Sequence, residues 1–250
     1  MNKSCTIIAH RGESFDAPEN TIASINLAWN RGAEAVEIDV QLSLDNEIVV
    51  FHDQSTRRLG NKNKLIIKQT LLELKKLDIR SYKGENWAGE KIPTLKEVLQ
   101  TIPQGKKIVI EIKCNSEILN VLQSDLSSSN LEDDQIEIIG FDFDTIIAAK
   151  QMMPQYKVLL LSDLDYHWYG KLFSPSIETL IERCKKNNLD GLDLWAGKKL
   201  NKHAVKKIKS SGLLLYVWTV NDISQAAELI EWRVDGITTD RAQWMRKELP

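Results

Sequence analysis

Short apolar, β-branched runs alternate with longer amphipathic stretches along most of this chain. Nine such runs are strand candidates, and they lie at residues 6–10, 35–40, 48–52, 107–113, 136–141, 157–162, 189–195, 213–218 and 235–240. Stretches with helical spacing separate most of them, for example at residues 20–32, 94–102, 176–187, 201–212 and 224–234. Strands that alternate with helices predict a parallel sheet covered by helices. We therefore predict an α/β fold, a single (β/α)8 TIM barrel that forms one domain over residues 1–250.

The number of strands leaves one point open, because a barrel of this type needs eight strands and the sequence offers nine candidates. Either one candidate is a short accessory strand, or two candidates contribute to one barrel position. The alternative fold is a doubly wound open sheet. It is disfavoured because the first strand candidate runs into His10, Arg11 and Gly12, and not into a glycine-rich dinucleotide loop.

Several residues mark the expected ends of elements. Gly32 and Gly212 are expected at helix C-termini, and Asn20 and Ser224 are expected to be helix N-caps. The stretch 53–93, between the third strand candidate and the next predicted helix, is longer and more polar than the other connections. We predict that it is a small insertion on the rim of the barrel that helps to close the site.

Composition excludes several classes of protein. The formal net charge is −2, so no nucleic-acid or membrane-surface partner is indicated. No apolar run approaches the ~20 residues of a membrane span, and the N-terminus lacks the hydrophobic region of a signal peptide. The three cysteines, Cys5, Cys114 and Cys184, show no metal-ligand spacing and are expected to be free thiols. We expect a cytoplasmic protein, with a removed leader and an oligomeric state both left open.

Three carboxylates interrupt two of the apolar runs. Side chains alternate across a strand, so Glu37 and Asp39 share one face of the run at residues 35–40. Glu111 has the same placement within the run at residues 107–113. Neighbouring carboxylates on a buried strand repel each other and lose hydration, so they need a cation or several hydrogen-bond donors. The pattern predicts a site for a hard divalent cation with oxygen ligands.

Other polar side chains also lie at or near strand ends, where a (β/α)8 barrel carries its active site. They are His10, Arg11, His52 and Lys113, and Trp218 ends a further apolar run. Such a set favours phosphoryl chemistry. The planar fork of Arg11 and the point charge of Lys113 suit a phosphate. His10 and His52 can act as general base and general acid, because imidazole titrates near neutrality.

Seven short motifs of this sequence are similar to those of one known family and occur in the same order. They are HRG at 10–12, PENT at 18–21, EIDVQLS at 37–43, FHD at 51–53, EIK at 111–113, WTVN at 218–221 and DGITTD at 235–240. The sequence from about residue 6 to residue 241 thereby resembles the glycerophosphodiester phosphodiesterase family. The resemblance implies a (β/α)8 barrel with a small insertion after the third strand. It also implies a Ca²⁺ or Mg²⁺ ion and cleavage of deacylated phospholipids into sn-glycerol 3-phosphate and an alcohol.

The resemblance implies a role for each matching residue. His10 and His52 match the acid/base pair; Glu37, Asp39 and Glu111 match the metal ligands; Arg11 and Lys113 match the phosphate-binding cations. In the implied mechanism the glycerol 2-hydroxyl attacks phosphorus, and water then opens the cyclic phosphate. Phe141 and Trp218 would form an apolar wall beside the glycerol or the head group. Supporting roles fall to Glu19, which would pair with Arg11, and to Asn20 at the helix start. Asp53 would orient His52, and Asp240 would have a similar supporting role near the end of the barrel.

The chain also departs from the family pattern in two places. The stretch after His52 is compact and basic, and Gly140 stands where a serine is common before Phe141. Both departures concern the head group that the enzyme prefers. An alternative is a lysophospholipase D-type hydrolase, for which Tyr166, Trp168, Tyr169, Leu172 and Phe173 could supply an apolar channel. A further alternative is a non-catalytic barrel that binds a phosphorylated ligand, and loss of a histidine or of a metal carboxylate would have favoured it.

Overall fold

Eight parallel strands form a closed barrel in the computed structural model, which describes residues 5–59, 63–79, 83–165 and 175–249. The eight barrel strands are β1 (Thr6–His10), β2 (Ala35–Leu42), β4 (Lys107–Ile112), β5 (Ile136–Gly140), β6 (Lys157–Ser162), β7 (Gly191–Trp195), β8 (Leu214–Trp218) and β9 (Gly236–Thr239), and a ninth strand, β3 (Ile48–Val50), is antiparallel. Strand β1 pairs in parallel with both β2 and β9, and this pairing closes the barrel. The prediction of a (β/α)8 fold is confirmed.

Helices follow most barrel strands and cover the outside of the barrel. In the described ranges they are α1 (Ile22–Asn30), α2 (Leu71–Leu74), α3 (Leu95–Leu99), α4 (Leu119–Ser127), α5 (Phe143–Met152), α6 (Ile177–Lys186), α7 (Lys202–Ser210), α8 (Ile223–Glu231) and α9 (Ala242–Glu248). None of these helices has the length and apolar character needed to cross a lipid bilayer.

Strand β3 resolves the excess of strand candidates. It pairs antiparallel with the end of β2, with Val50 opposite Val40 and Ile48 opposite Leu42. The run at residues 48–52 is therefore an accessory strand, and the next barrel strand is β4. The prediction that His52 lies at the C-terminal end of a barrel strand is wrong. His52 reaches the site because the hairpin doubles back along β2, where the Phe51 amide donates to the Asp39 carbonyl at 2.9 Å.

The two faces of the barrel strands have different environments. On β2, Val36 and Ile38 face the surrounding helices and join the main hydrophobic core. Ala35 faces the barrel interior, where it packs in a second cluster with Val109 and Tyr216. Alternation along the strand then places Glu37 and Asp39 on the interior face. All eight residues of β2 are buried.

The insertion has a small core of its own that packs on the hairpin. Its described part includes α2 and two single turns of 3₁₀ helix, at Ile66–Lys68 and Glu85–Trp87. The buried apolar side chains of this core are Val49, Phe51, Leu59, Ile66, Leu74, Leu77, Ile79 and Ile92. Because Val49 of β3 and the nearby Phe51 belong to this core, the insertion packs against the same segment that carries His52.

The two glycine predictions are confirmed and the two N-cap predictions are wrong. Gly32 and Gly212 follow helix ends with positive φ angles of 80° and 85°. Thr21, and not Asn20, caps α1, because the Asn20 side chain is bonded to Asp39. Asp222, and not Ser224, caps α8, where its carboxylate accepts the Gln225 amide at 2.8 Å.

Candidate active site

Three carboxylates meet inside the C-terminal end of the barrel. Asp39 on β2 lies beside Glu111 on β4 in the strand register, and Glu37 lies two residues earlier on the same face. One oxygen from each of the three side chains lies within 4.8 Å of the other two. All three residues are buried. The structure therefore brings together the three residues that were predicted to bind a cation.

Ionisation of all three carboxylates in this cluster is unfavourable without a cation. Burial raises the pKa of Glu37 well above its ordinary value, and the charges of Asp39 and Glu111 add to the effect. Burial and Asp39 raise the pKa of Glu111 to about 7. Burial opposes ionisation of Asp39 too, but Arg11 and Lys113 outweigh it and hold the pKa of Asp39 below its ordinary value. The repulsion between these groups is the kind that a divalent cation relieves.

Two oxygen atoms of the cluster fit a metal site directly. Oε1 of Glu37 and Oδ1 of Asp39 are buried and have no hydrogen-bond partner among the described residues. A buried carboxylate oxygen without a partner is costly, and a metal ion removes that cost. A set of carboxylate oxygens without sulfur or nitrogen ligands matches the preference of Ca²⁺ and Mg²⁺.

Two cationic side chains flank the carboxylates. Nε of Arg11 lies 3.0 Å from Oδ2 of Asp39, and its Nη1 donates to Oε1 of Glu19 at 2.8 Å. Nζ of Lys113 donates to Oε1 of Glu111 at 2.7 Å and lies 3.7 Å from Oδ1 of Asp39. Both cations are therefore placed beside the candidate metal site, where a bound phosphate would need positive charge.

His10 is held by a carboxylate that directly follows the last barrel strand. Its Nδ1 lies 2.6 Å from Oδ1 of Asp240, and its Nε2 lies 3.9 Å from Oε2 of Glu37. Burial would raise the pKa of Asp240, but the hydrogen bonds from His10, Asn221 and Ser14 outweigh it and lower the pKa to about 2. An ionised carboxylate only accepts hydrogen bonds, so Nδ1 of His10 carries the shared proton and Nε2 is left for chemistry.

His52 has a similar carboxylate partner. Its Nδ1 lies 2.7 Å from Oδ1 of Asp53. Burial lowers the pKa of His52, and its carboxylate neighbours do not fully offset this effect. The backbone around His52 is fixed by Gln41, whose side-chain amide donates to the carbonyls of Phe51 at 2.7 Å and Asp53 at 2.8 Å. The neutral form of His52 is therefore favoured, and Nε2 is the ring nitrogen that does not contact Asp53.

Comparison with known proteins identifies the family to which this arrangement belongs. The model of the "Glycerophosphoryl diester phosphodiesterase family" matches residues 10–243. The chain belongs to this family. The glycerophosphodiester phosphodiesterase of Caldanaerobacter subterraneus subsp. tengcongensis is 33% identical over 250 residues, which cover 94% of this chain and 93% of that relative. The resemblance noted in the motifs is thus confirmed, and the chain is an enzyme, a glycerophosphodiester phosphodiesterase.

Solved structures of the same family superpose on this barrel. A phosphodiesterase from Oleispira antarctica, in complex with the product sn-glycerol-3-phosphate, matches with a TM-score of 0.86 and 31% identity, over 98% of this chain and 96% of that chain. The glycerophosphodiester phosphodiesterase of Thermotoga maritima matches with a TM-score of 0.77 and 28% identity, over 97% of both chains. Enzymes of this family generally depend on a divalent metal ion, and the acidic cluster described above is a candidate site for one.

An aromatic group stands at the mouth of this phosphodiesterase barrel. Phe141 and Trp218 pack edge to face with ring centroids 5.6 Å apart, and Phe141 is 47% exposed. Trp195 extends the group, with its ring centroid 5.2 Å from that of Trp218. The sequence reasoning named the first two residues and missed Trp195. Its position at the end of a predicted strand, like that of Trp218, was the signal available.

The predicted supporting residues also lie in the phosphodiesterase site. The amide of Asn20 donates to Oδ2 of Asp39 at 2.8 Å, and its carbonyl oxygen accepts the Asp39 backbone amide at 3.2 Å. Glu19 and Asp53 contact Arg11 and His52 respectively, and both also bind Arg58. Sequence reasoning missed Arg58, because nothing in a basic loop indicates a partner that is 39 residues away.

The aromatic loop suggested for an acyl channel is not among the residues that the structure describes. Its residues Tyr166, Trp168, Tyr169, Leu172 and Phe173 lie outside the described ranges. Their contribution to the rim of the phosphodiesterase barrel therefore stays a prediction.

Proposed function

We propose that this enzyme hydrolyses glycerophosphodiesters such as glycerophosphocholine and glycerophosphoethanolamine to sn-glycerol 3-phosphate and an alcohol. The observation that carries the proposal is the convergence of two carboxylate-bound histidines on one cluster of three buried carboxylates. The product complex of the Oleispira antarctica relative supports the choice of sn-glycerol 3-phosphate as the product.

The cation site is assigned to Glu37, Asp39 and Glu111, with Ca²⁺ or Mg²⁺ as the ion. A bound divalent ion would neutralise charge on the phosphate and polarise a phosphorus–oxygen bond. The unpartnered oxygens of Glu37 and Asp39 support this assignment. Arg11 and Lys113 would bind the remaining phosphate oxygens, since both cations lie within 4 Å of Asp39.

The two histidines are assigned to proton transfer in two steps. In the first step the glycerol 2-hydroxyl forms a bond to phosphorus while one histidine takes its proton. The other histidine protonates the oxygen of the departing alcohol as its bond to phosphorus breaks. In the second step water opens the cyclic phosphate with the two roles reversed, which returns both histidines to their first state. The lowered pKa of His52 supports it as the first base, which leaves His10, held 2.6 Å from Asp240, as the first acid.

The aromatic group is assigned to substrate contact. Phe141 and Trp218 would form the apolar wall beside the glycerol or the head group. The exposure of Phe141 at the mouth supports this, because a large apolar side chain open to solvent beside a polar site is a common feature of ligand pockets.

The alternative substrate is a lysophospholipid. It needs an apolar channel for an acyl chain, and the residues suggested for that channel lie outside the described ranges. A non-catalytic barrel is disfavoured, because both histidines and all three carboxylates are present.

The test is a product assay with purified enzyme. Release of sn-glycerol 3-phosphate is measured from glycerophosphocholine and glycerophosphoethanolamine, and release of choline is measured from lysophosphatidylcholine, each with Ca²⁺, with Mg²⁺ and with EDTA. We expect metal-dependent release from the first two substrates. Choline release from lysophosphatidylcholine alone would favour the lysophospholipase D alternative. Activity that persists in EDTA after extended dialysis would contradict the cation site.

A further inference from the structure

One guanidinium group, that of Arg58, binds two carboxylates of the site at once. Its Nε donates to Oδ2 of Asp53 at 2.7 Å and its Nη2 donates to Oδ1 of Asp53 at 3.0 Å. Its Nη1 donates to Oε2 of Glu19 at 2.8 Å, and Nη2 also donates to Oε1 of Glu19 at 2.8 Å. Both oxygens of both carboxylates are therefore engaged by a single side chain.

Each of these carboxylates holds a different functional group. Oδ1 of Asp53 lies 2.7 Å from Nδ1 of His52. Oε1 of Glu19 accepts Nη1 of Arg11 at 2.8 Å. A continuous series of hydrogen bonds thus runs from His52 through Asp53, Arg58 and Glu19 to Arg11. It connects the proposed base with the proposed phosphate-binding cation.

The series joins two segments that lie far apart in the sequence. Glu19 lies in the loop between β1 and α1, whereas Arg58 lies in the insertion that follows the β2–β3 hairpin. A carboxylate on its own can rotate, but a bidentate guanidinium fixes the plane of the group that it binds. Arg58 therefore removes the freedom of two carboxylates together, and each of them in turn fixes one functional side chain.

The charges of the partners favour the same interpretation. Burial alone would raise the pKa of Asp53 and of Glu19, yet hydrogen bonds from Arg58 are the leading cause that lowers both. Both carboxylates consequently stay ionised and remain acceptors for His52 and Arg11. The side chain of Arg58 is 44% exposed, and its ion pairs within the described ranges are with Glu19 and Asp53, away from the three buried carboxylates.

We propose that Arg58 is a positioning residue that orients His52 and Arg11 together, so that proton transfer and phosphate binding depend on one side chain of the insertion. This inference rests on the function proposed above. Arg58 touches neither the reacting atoms nor the candidate metal ligands, and it acts through Asp53 and Glu19.

The first test compares Arg58→Gln with a matched control in the adjacent residue. Arg57 is exposed and has no side-chain hydrogen bond to another described residue, so Arg57→Gln removes the same charge without breaking the series. We expect Arg58→Gln to lower kcat for glycerophosphocholine by about 10- to 100-fold, as loss of an orienting partner commonly does. The dissociation constant of sn-glycerol 3-phosphate should rise by about 10-fold in the same variant, and neither quantity should change more than about twofold in Arg57→Gln.

The second test separates positioning from folding. Arg58→Lys keeps the charge but lacks the fork, so it should recover less than a tenth of the lost activity. Arg58→Ala assayed with added guanidinium at sub-denaturing concentration should recover part of kcat, which a merely unfolded variant would not do. Combining Arg58→Gln with Asp53→Asn should lower kcat little further, and combining it with Glu19→Gln should weaken product binding little further.

The outcomes distinguish this inference from the proposed function. A parent enzyme that releases product while Arg58→Gln behaves like Arg57→Gln would overturn the positioning role alone. Loss of activity that follows only the loss of folded protein, without guanidinium rescue, would also overturn it. If the parent binds sn-glycerol 3-phosphate but hydrolyses no glycerophosphodiester, the proposed function fails, and the binding measurements still decide whether Arg58 orients Arg11.

Discussion

Nδ1 of His10 lies 2.6 Å from Oδ1 of Asp240, although the two residues are 230 positions apart in the chain. The contact exists because β1 pairs with β9, so that the ends of the first and last barrel strands are neighbours. Asn221 and Ser14 also donate to Asp240, at 2.7 Å and 3.2 Å. The carboxylate is thereby fixed on three sides, and it holds His10 with Nε2 directed away from Asp240.

Replacement of either histidine tests the proton-transfer roles. His10→Ala and His52→Ala should each lower kcat by roughly 10²–10⁴-fold, the range typical for loss of a general acid or base. The far-ultraviolet circular dichroism and the melting temperature should stay close to those of the parent. His203 is exposed on α7, so His203→Ala is the matched control and should keep full activity. Near-normal turnover in either active-site variant would remove that histidine from the mechanism.

Replacement of Glu37 tests the cation site by stability as well as by activity. Saturating Ca²⁺ or Mg²⁺ should stabilise the parent, by about 2.7 kcal/mol at a hundred times the dissociation constant. Glu37→Gln should lose most of this stabilisation and most of its activity. Without a cation the same variant should unfold at a higher temperature than the parent, because it removes a buried carboxylate that Asp39 and Glu111 repel.

Thermal melting with and without metal ion measures both effects in the same samples. Glu182→Gln, a change on the exposed face of α6, is the control. A parent that gains no stability from either ion would contradict the site, and so would an equal gain in Glu37→Gln.

Asp240, the partner of His10, should make the stability of the folded enzyme depend on pH. The folded-state pKa of Asp240 is about 2, below the ordinary value of 3.8, so the ionised form is favoured by folding. The stabilisation that ionised Asp240 gives to the folded state is therefore complete above about pH 4 and is lost as the pH falls toward about 2. Asp240→Asn should cost about 1–3 kcal/mol of unfolding free energy at pH 6, and this difference from the parent should shrink by pH 3. Urea unfolding at the two pH values provides the comparison, and a difference that grows on acidification would be the opposite of this expectation.

Gly12 tests the turn that delivers Arg11 to the site. Its φ angle is +84°, and a Cβ atom at this position would lie 2.5 Å from the carbonyl carbon of Ser24. Gly12→Ala should therefore lower the free energy of unfolding by about 2–4 kcal/mol, because backbone strain and the clash act together. Gly105 has a φ angle of +73° with no atom within 4 Å of the added Cβ, so Gly105→Ala should cost only about 1 kcal/mol. Equal costs in urea unfolding would mean that the clash with Ser24 is relieved.

Local patterns explain what could be predicted here. The alternation of apolar runs and amphipathic stretches predicts the barrel. The two-residue period of a strand predicts that Glu37 and Asp39 lie on the same face. The direction of β3 could not be predicted, because an apolar run indicates a strand but not the strand against which it pairs. Asn20 looks like a helix cap in the sequence, yet its amide is bonded to Asp39.

Contacts between distant segments explain what was missed. Arg58 belongs to a loop whose composition departs from the family pattern, and its importance depends on Glu19 being brought close by the fold. Trp195 and Gln41 are ordinary strand residues until the positions of Trp218 and of the β2–β3 hairpin are known.

The closure of the barrel by β1 and β9 also bears on how the enzyme is made. Nearly all of the proposed machinery lies in the first half of the chain, since His10, His52 and the three carboxylates precede residue 112. The support of His10 comes from Asp240, and the seam beside β1 stays open until residues 236–239 pair with it. During synthesis a ribosome-bound chain therefore carries both histidines and the three buried carboxylates before Asp240 is made, and the barrel closes only when the final strand is available.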